Sequence, residues 1–64
     1  MNSRDWKRIE RHYGRPCELN ERGEIVYRDG DFPVGYIATD PDVAGYLVDT
    51  TGDSDELVFA TGKE

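Results

Sequence analysis

Clusters of Gly, Pro, Asn and Asp interrupt this chain every few residues from Pro16 onward. The segments between them are short and rich in β-branched and aromatic residues, a composition typical of strands joined by tight turns. They predict consecutive antiparallel strands over residues 17–20, 24–28, 34–39, 45–49 and 56–61.

Two of these regions also carry helix signals. The Asp40-Pro41 pair suits the start of a helix, and Asp53 with Glu56 three residues later fits a capping box. The β-branched and aromatic residues of segment 58–61 favour a strand. We therefore predict a strand for the last segment and keep a short helix as the alternative.

The N-terminal segment has a different periodicity. Its apolar stripe follows helical spacing and consists of Trp6, Ile9 and Tyr13. Ser3 is a candidate N-cap and Gly14 a candidate stop, so a helix is predicted over residues 4–13. The prediction is an α+β fold in which one N-terminal amphipathic helix packs on a small antiparallel sheet of four to five strands, within the β-rich region 17–61.

The length of 64 residues predicts a single domain, residues 1–64, with a thin core. Seven aromatic residues are too many for a typical disordered segment, so we expect the chain to fold. The helix stripe is expected to cover an inner sheet face that includes Ile25, Tyr27, Tyr36, Val48, Leu57 and Phe59.

The formal net charge of −6 is unevenly distributed. Residues 1–32 hold seven basic and seven acidic residues, which cancel, whereas residues 33–64 hold seven acidic residues against Lys63 alone. No basic residue lies between Arg28 and Lys63. Because ordinary surfaces mix both signs, this asymmetry concerns the partners of the protein more than its fold.

Groups suited to catalysis are few. His12 is the one imidazole and flanks the apolar stripe, and Cys17 is the one thiol. A lone cysteine at the start of a strand is usually a small core residue. Ser3 and Ser54 lack the glycine context of a nucleophile elbow. We expect no enzymatic activity and no cofactor.

Pairs of carboxylates two residues apart, in "DGD", "DPD" and "DSD", raise the question of a metal site. A calcium loop starting at Asp49 would place Ser54 and Ala60 where glycine and glutamate are required. A loop starting at Asp40 would place Thr51 at the glutamate position. Both matches fail, so no metal site is predicted beyond the weak surface binding that any carboxylate cluster allows.

The outer face of the predicted helix is basic, with Arg4, Lys7, Arg8 and Arg11 opposite the apolar stripe. Such a face could contact phosphates in a nucleic-acid binder. The overall charge of −6 opposes approach to a polyanion, and a solvated helix face is the simpler interpretation.

The acidic half supplies the candidate partner-binding residues, which are Asp40, Asp42, Asp49, Asp53, Asp55 and Glu56. Turn chemistry explains part of this set, because Asp side chains accept hydrogen bonds from nearby amides. The missing basic residues favour a second interpretation, in which spaced carboxylates imitate the phosphates of DNA or RNA. The leading hypothesis is a small acidic inhibitor that blocks a larger nucleic-acid-binding protein or complex, by analogy with phage or mobile-element inhibitors of the anti-CRISPR or anti-restriction type.

Two other functions stay open. One is a structural or regulatory interaction module that binds through apolar surface or a sheet edge, and the other is the nucleic-acid binder with its basic helix. The single cysteine and the lack of a long apolar run favour a cytoplasmic protein, in the host cytoplasm if the protein is viral. We expect a monomer or weak homodimer without direct nucleic-acid or membrane contacts.

Overall fold

The computed structural model describes residues 2–62 and shows one N-terminal helix packed on a five-stranded antiparallel sheet, an α+β arrangement. Helix α1 spans Ser3–Tyr13, and the strands are β1 (Cys17–Leu19), β2 (Glu24–Tyr27), β3 (Pro33–Ile37), β4 (Tyr46–Asp49) and β5 (Glu56–Ala60). The strand order β1-β2-β3-β4-β5 follows the chain, so the sheet is a meander. The predicted fold class and the existence of all five predicted strands are confirmed.

Helix α1 begins one residue earlier than predicted because Asn2, rather than Ser3, is its N-cap. The Asn2 Oδ1 accepts a hydrogen bond from the Asp5 amide at 2.9 Å, which satisfies one of the amides that lack a partner at a helix start. Gly14 ends the helix as predicted. It adopts the left-handed conformation (φ 73°), and its amide donates to the Glu10 carbonyl at 2.7 Å.

Both helix alternatives are wrong. The segment after the β4–β5 turn is strand β5, which pairs antiparallel with β4. After Asp40 the chain makes consecutive turns, in which the Val43 amide donates to the Asp40 carbonyl at 3.0 Å and the Tyr46 amide donates to the Val43 carbonyl at 3.1 Å. For the last segment, pairing with β4 satisfies more backbone groups than a single capped turn, so it overrides the local helix signal.

The core lies between α1 and one face of the sheet, which we call the inner face. Its buried residues are Ile9, Cys17, Ile25, Val34 and Leu47, and the partly buried residues packed on them are Trp6, Tyr13, Tyr27, Ile37, Val58 and Phe59. The apolar stripe of the helix therefore packs on the sheet as predicted. Three residues predicted for the inner face, Ile25, Tyr27 and Phe59, are confirmed there.

Tyr36, Val48 and Leu57 were predicted for the inner face, and this is wrong. Tyr36 pairs with Val48, and Val48 pairs with Leu57, across three neighbouring strands. Side chains directly opposite each other share a face, and Leu47, the neighbour of Val48, belongs to the core. The three residues therefore lie on the opposite face of the sheet, which we call the outer face.

A β-bulge in β3 turns two consecutive residues toward the helix. Ile25 pairs with Gly35, but the next residue, Val26, pairs with Pro33, so Val34 is the extra residue. Val34 is 5% exposed and belongs to the core, and its carbonyl accepts the Tyr13 hydroxyl at 2.8 Å. The bulge brings the backbone of β3 close to the end of α1.

This close approach requires glycine at position 35. A Cβ there would lie 2.6 Å from the Val48 carbonyl oxygen and would overlap the Tyr13 hydroxyl. Gly35→Ala is expected to cost about 1–3 kcal/mol of unfolding free energy, as overpacking usually does. For a domain of this size the melting temperature falls by about 4–8 °C per kcal/mol, which thermal denaturation followed by circular dichroism will measure.

Gly30→Ala is the matched control, because a Cβ at position 30 meets nothing within 4 Å. Its free energy of unfolding is expected to stay within about 0.5 kcal/mol of the wild-type value, so its melting temperature should change little. Equal melting temperatures for Gly35→Ala and Gly30→Ala would contradict the packing of Tyr13 against β3.

Asp5 joins the start of the helix to the end of the sheet. Its side chain is 1% exposed, and its Oδ2 accepts a hydrogen bond from the Gly62 amide at 3.0 Å. A buried carboxylate is tolerated only when it is hydrogen-bonded, so this contact explains the burial. Sequence reasoning missed it because the two residues are 57 positions apart.

Residues 2–62 contain no helix with the length and apolar character that a bilayer crossing requires.

Candidate functional site

The six predicted partner-binding carboxylates lie at both ends of the sheet. Asp40 and Asp42 belong to the β3–β4 loop, whereas Asp49, Asp53, Asp55 and Glu56 belong to the β4–β5 turn and the strand ends beside it. Consecutive connections of a meander lie at opposite ends of its strands. The structure therefore separates "DPD" from "DSD" by the length of β4.

Five of these six residues are exposed, and we call them the exposed carboxylates: Asp40, Asp42, Asp53, Asp55 and Glu56. The ion pairs of residues 2–62 join His12 to Asp49 and Arg15 to Asp29, so within that range none of the five is paired. Their charge is therefore presented to solvent, where a partner can reach it.

Asp49 differs from these five residues, because its carboxylate is hydrogen-bonded to other residues of the chain. Its Oδ2 lies 2.7 Å from the His12 Nε2, and its Oδ1 accepts the amide and the hydroxyl of Thr51 at 2.8 and 2.6 Å. Partial burial acts to raise the pKa of Asp49, but the hydrogen bonds from Thr51 and His12 hold this pKa below its ordinary value. Asp49 therefore stabilises the β4–β5 turn and links it to the end of α1 by a hydrogen bond.

Asp40 combines a structural contact with an exposed charge. Its Oδ1 accepts the Asp42 amide at 3.1 Å, the hydrogen bond of an Asx-turn. Gly45 closes the same loop in a left-handed conformation (φ 89°). The loop is thus built by local turn chemistry, and the Asp40 side chain is exposed at its start.

The outer face of the sheet contains a depression of about 310 Å³. Its apolar lining consists of Tyr36, Ala38, Val43, Val48 and Leu57, and its polar lining consists of Thr39, Asp40 and Asp55. Asp40 comes from the β3–β4 loop and Asp55 from the β4–β5 turn, so one carboxylate from each end of the sheet borders the depression. No basic residue of the described part of the chain lines it.

The apolar part of this depression was missed at the sequence level. Tyr36 and Leu57 are 37% and 50% exposed, while Val48 between them is only 4% exposed. The available signal was the occurrence of two adjacent apolar residues in one strand, as in Leu47-Val48 and Leu57-Val58. Such pairs indicate a strand with apolar surface on both faces.

Four of the basic residues lie in the helix layer of the molecule. Arg4, Lys7, Arg8 and Arg11 are exposed on α1, which covers the inner face. The Arg8 guanidinium stacks on the Phe59 ring, 4.0 Å from its centroid. These cations therefore lie on the opposite side of the sheet from Asp40 and Asp55, the two carboxylates that border the depression.

A second arginine is held by an aromatic ring and a carboxylate together. The Arg15 guanidinium lies 4.9 Å from the Tyr27 ring centroid, and its Nη2 lies 3.9 Å from the Asp29 Oδ2. Both Arg15 and Asp29 are largely exposed, so the ion pair adds little stability. It shows how this protein accommodates a guanidinium group.

His12 and Cys17 are engaged in separate contacts. His12 binds Asp49, whereas Cys17 is 2% exposed and its Sγ donates to the Arg15 carbonyl at 3.3 Å. Burial and the Glu10 carboxylate raise the pKa of the Cys17 thiol, because both disfavour the thiolate. Cys17 is a core residue, as predicted. Across residues 2–62, no three or more His, Cys, Asp or Glu side chains are grouped to hold a metal ion.

Fold and site together define a two-layer α+β domain with a basic helix on one side and an open sheet face bordered by carboxylates on the other. No protein-family model, curated protein or solved structure matches the chain. The function is accordingly inferred from the residues of this chain.

Proposed function

We propose that this protein is a small acidic inhibitor that binds a larger nucleic-acid-binding protein and blocks its nucleic-acid-binding surface. One observation supports the proposal above the others. The exposed carboxylates occur at both ends of the sheet without an ion pair inside residues 2–62, and two of them, Asp40 and Asp55, border the outer face, on the side away from the cations of α1. A protein with this distribution presents negative charge to its partner from both ends of the sheet.

The dimensions suit a groove that binds nucleic acid. A four-residue strand such as β4 rises about 13 Å, so the β3–β4 loop and the β4–β5 turn place negative charge at points about that far apart. Duplex DNA carries one charge per about 1.7 Å of axis, and its binding proteins present rows of Lys and Arg. A rigid domain with carboxylates at spaced positions can occupy such a row.

Within this proposal the partner is a nucleic-acid-binding protein or complex of a host cell. Small inhibitors of CRISPR or restriction complexes made by phages and mobile elements have the same size and charge character, and we assign this protein to that type of activity. It would act in the host cytoplasm, as a monomer or weak homodimer.

A second candidate function is an interaction module that binds through apolar surface. The exposure of Tyr36 and Leu57 beside the depression favours it, because exposed aromatic and aliphatic side chains at a concave site are typical of protein interfaces. The two functions differ in their expected response to salt. Charge attraction is screened over about 8–10 Å at moderate ionic strength, whereas apolar contacts are not weakened by salt.

The test is capture of partners from a host lysate by the immobilised protein at low and moderate salt, followed by competition with nucleic acid. Mimicry predicts that the captured protein binds DNA or RNA, that capture weakens as salt rises, and that duplex DNA or RNA displaces the inhibitor. A partner that holds nucleic acid and this protein simultaneously would contradict mimicry. Direct capture of nucleic acid would instead support a role for the basic helix.

A further inference from the structure

We infer that the depression on the outer face receives an arginine side chain from a basic segment of the partner protein. This inference rests on the proposed function, because it specifies how two of the exposed carboxylates, Asp40 and Asp55, engage the partner. It concerns a site of defined lining and volume, whereas the mimicry proposal concerns the charge of all the exposed carboxylates.

Charge complementarity selects a cation. Asp40 and Asp55 border the depression from opposite ends of the sheet, and no cation of residues 2–62 lines it. Within that range neither carboxylate is paired with a basic residue. A negatively charged ligand such as a phosphate would meet like charge here, so the occupant has the opposite sign.

The apolar lining selects arginine among cations. Tyr36 offers an aromatic ring and Leu57 an aliphatic surface, which match the flat guanidinium and the methylene stem of arginine. A guanidinium group forms paired hydrogen bonds with carboxylates and stacks on rings, whereas the lysine ammonium is a compact, strongly hydrated charge. The volume of about 310 Å³ lies at the lower end of the range for small-molecule pockets, about 300–1,000 Å³, and suits one side chain.

The protein already holds an arginine in this manner elsewhere. Arg15 lies over the ring of Tyr27 with its guanidinium near the Asp29 carboxylate. The depression offers the same combination of groups, a tyrosine ring and an aspartate, but without an arginine of its own. The arginine that occupies the depression is therefore assigned to the partner protein.

The test uses a defined probe, a short peptide of alternating glycine and arginine, titrated into the full chain and followed by nuclear magnetic resonance. We expect the largest amide shifts at Tyr36, Thr39 and Leu57, and little change at the Trp6 indole, which lies on the helix layer. The same peptide with citrulline keeps the shape but lacks the charge and is expected to bind at least about tenfold more weakly. A lysine peptide that binds as tightly as the arginine peptide would overturn the assignment of arginine.

Two double variants locate the site. Asp40→Asn with Asp55→Asn removes the charges that border the depression, and the asparagine at position 40 keeps the acceptor for the Asp42 amide. The matched control, Asp42→Asn with Asp53→Asn, removes the same charge from exposed residues that do not line it. We expect the first pair to weaken peptide binding by about tenfold or more and the control by less than about threefold.

The outcomes separate this inference from the proposed function. Equal weakening by both double variants would overturn the depression as the arginine site and leave general charge mimicry intact. A selective effect of Asp40 and Asp55, combined with a captured partner that does not compete with nucleic acid, would keep the arginine site and reject mimicry. Peptide shifts spread evenly over all acidic loops would also overturn the inference.

Discussion

Ile9→Ala is expected to remove most of the stability of this domain. Ile9 is 0% exposed and lies at the centre of the core, where the apolar stripe of α1 meets the sheet. Truncating a buried isoleucine to alanine typically costs about 2–5 kcal/mol, through lost burial and the cavity that remains. A core in a domain this small rarely supplies more than about 3–5 kcal/mol, so the variant is expected to be largely unfolded at room temperature.

Urea denaturation followed by circular dichroism and by the fluorescence of Trp6 will measure this loss. Leu57→Ala is the control, because Leu57 is 50% exposed on the outer face. Its expected cost is below about 1 kcal/mol, since half of the side chain remains in contact with water. If Leu57→Ala destabilised the protein as much as Ile9→Ala, the assignment of Leu57 to the outer face would be wrong.

Neutralising the β4–β5 turn is expected to collapse partner binding while the fold survives. The variant carries Asp53→Asn, Asp55→Asn and Glu56→Gln, all at exposed positions. Removing charges that face a desolvated basic groove can cost about 2–5 kcal/mol for each buried pair, whereas charges at the rim mainly slow association. Stability should change little or rise slightly, because the like charges crowded into this turn repel each other.

Asp49 is left unchanged in this variant. Its carboxylate binds His12 and Thr51, so its replacement would disturb the turn and mix a folding defect with a binding defect. The matched control carries Glu18→Gln, Glu21→Gln and Asp31→Asn, which remove the same charge from exposed residues of the N-terminal half. That control is expected to keep most of the affinity.

The affinities of wild type and of both variants for the captured partner are measured by titration at two salt concentrations. Besides losing affinity, the turn variant should lose most of the salt dependence of binding, because fewer screened attractions remain. Circular dichroism confirms that all three proteins are folded. Equal affinities of wild type and the turn variant would exclude the β4–β5 turn from the mimicry surface.

Local patterns were sufficient to predict the elements of this fold. The helical spacing of Trp6, Ile9 and Tyr13, followed by Gly14, indicated a helix that ends where α1 ends. The short β-branched segments between turn clusters indicated strands near all five observed positions. These predictions succeeded because periodicity, capping and turn chemistry depend on residues close together in the chain.

The geometry of the candidate site required the tertiary structure. Sequence reasoning identified Asp40 and Asp55 as candidate residues, but it did not show that they border one depression with Tyr36. It also treated Asp49 as equivalent to its neighbours, although the bond to His12 spans 37 positions. Contacts of this separation depend on strand order and on how the helix crosses the sheet, and local patterns carry neither.

By itself, the sequence determined the α+β class, the helix, the strands and the concentration of carboxylates in the second half of the chain. Only the tertiary structure decided which face of the sheet each apolar residue occupies. Strands such as β4 carry adjacent apolar residues, so a period of two fits either face, and the bulge in β3 then shifts the alternation by one residue. Packing of α1 selected the face with Leu47 as the core and left Tyr36, Val48 and Leu57 on the open side, beside the carboxylates.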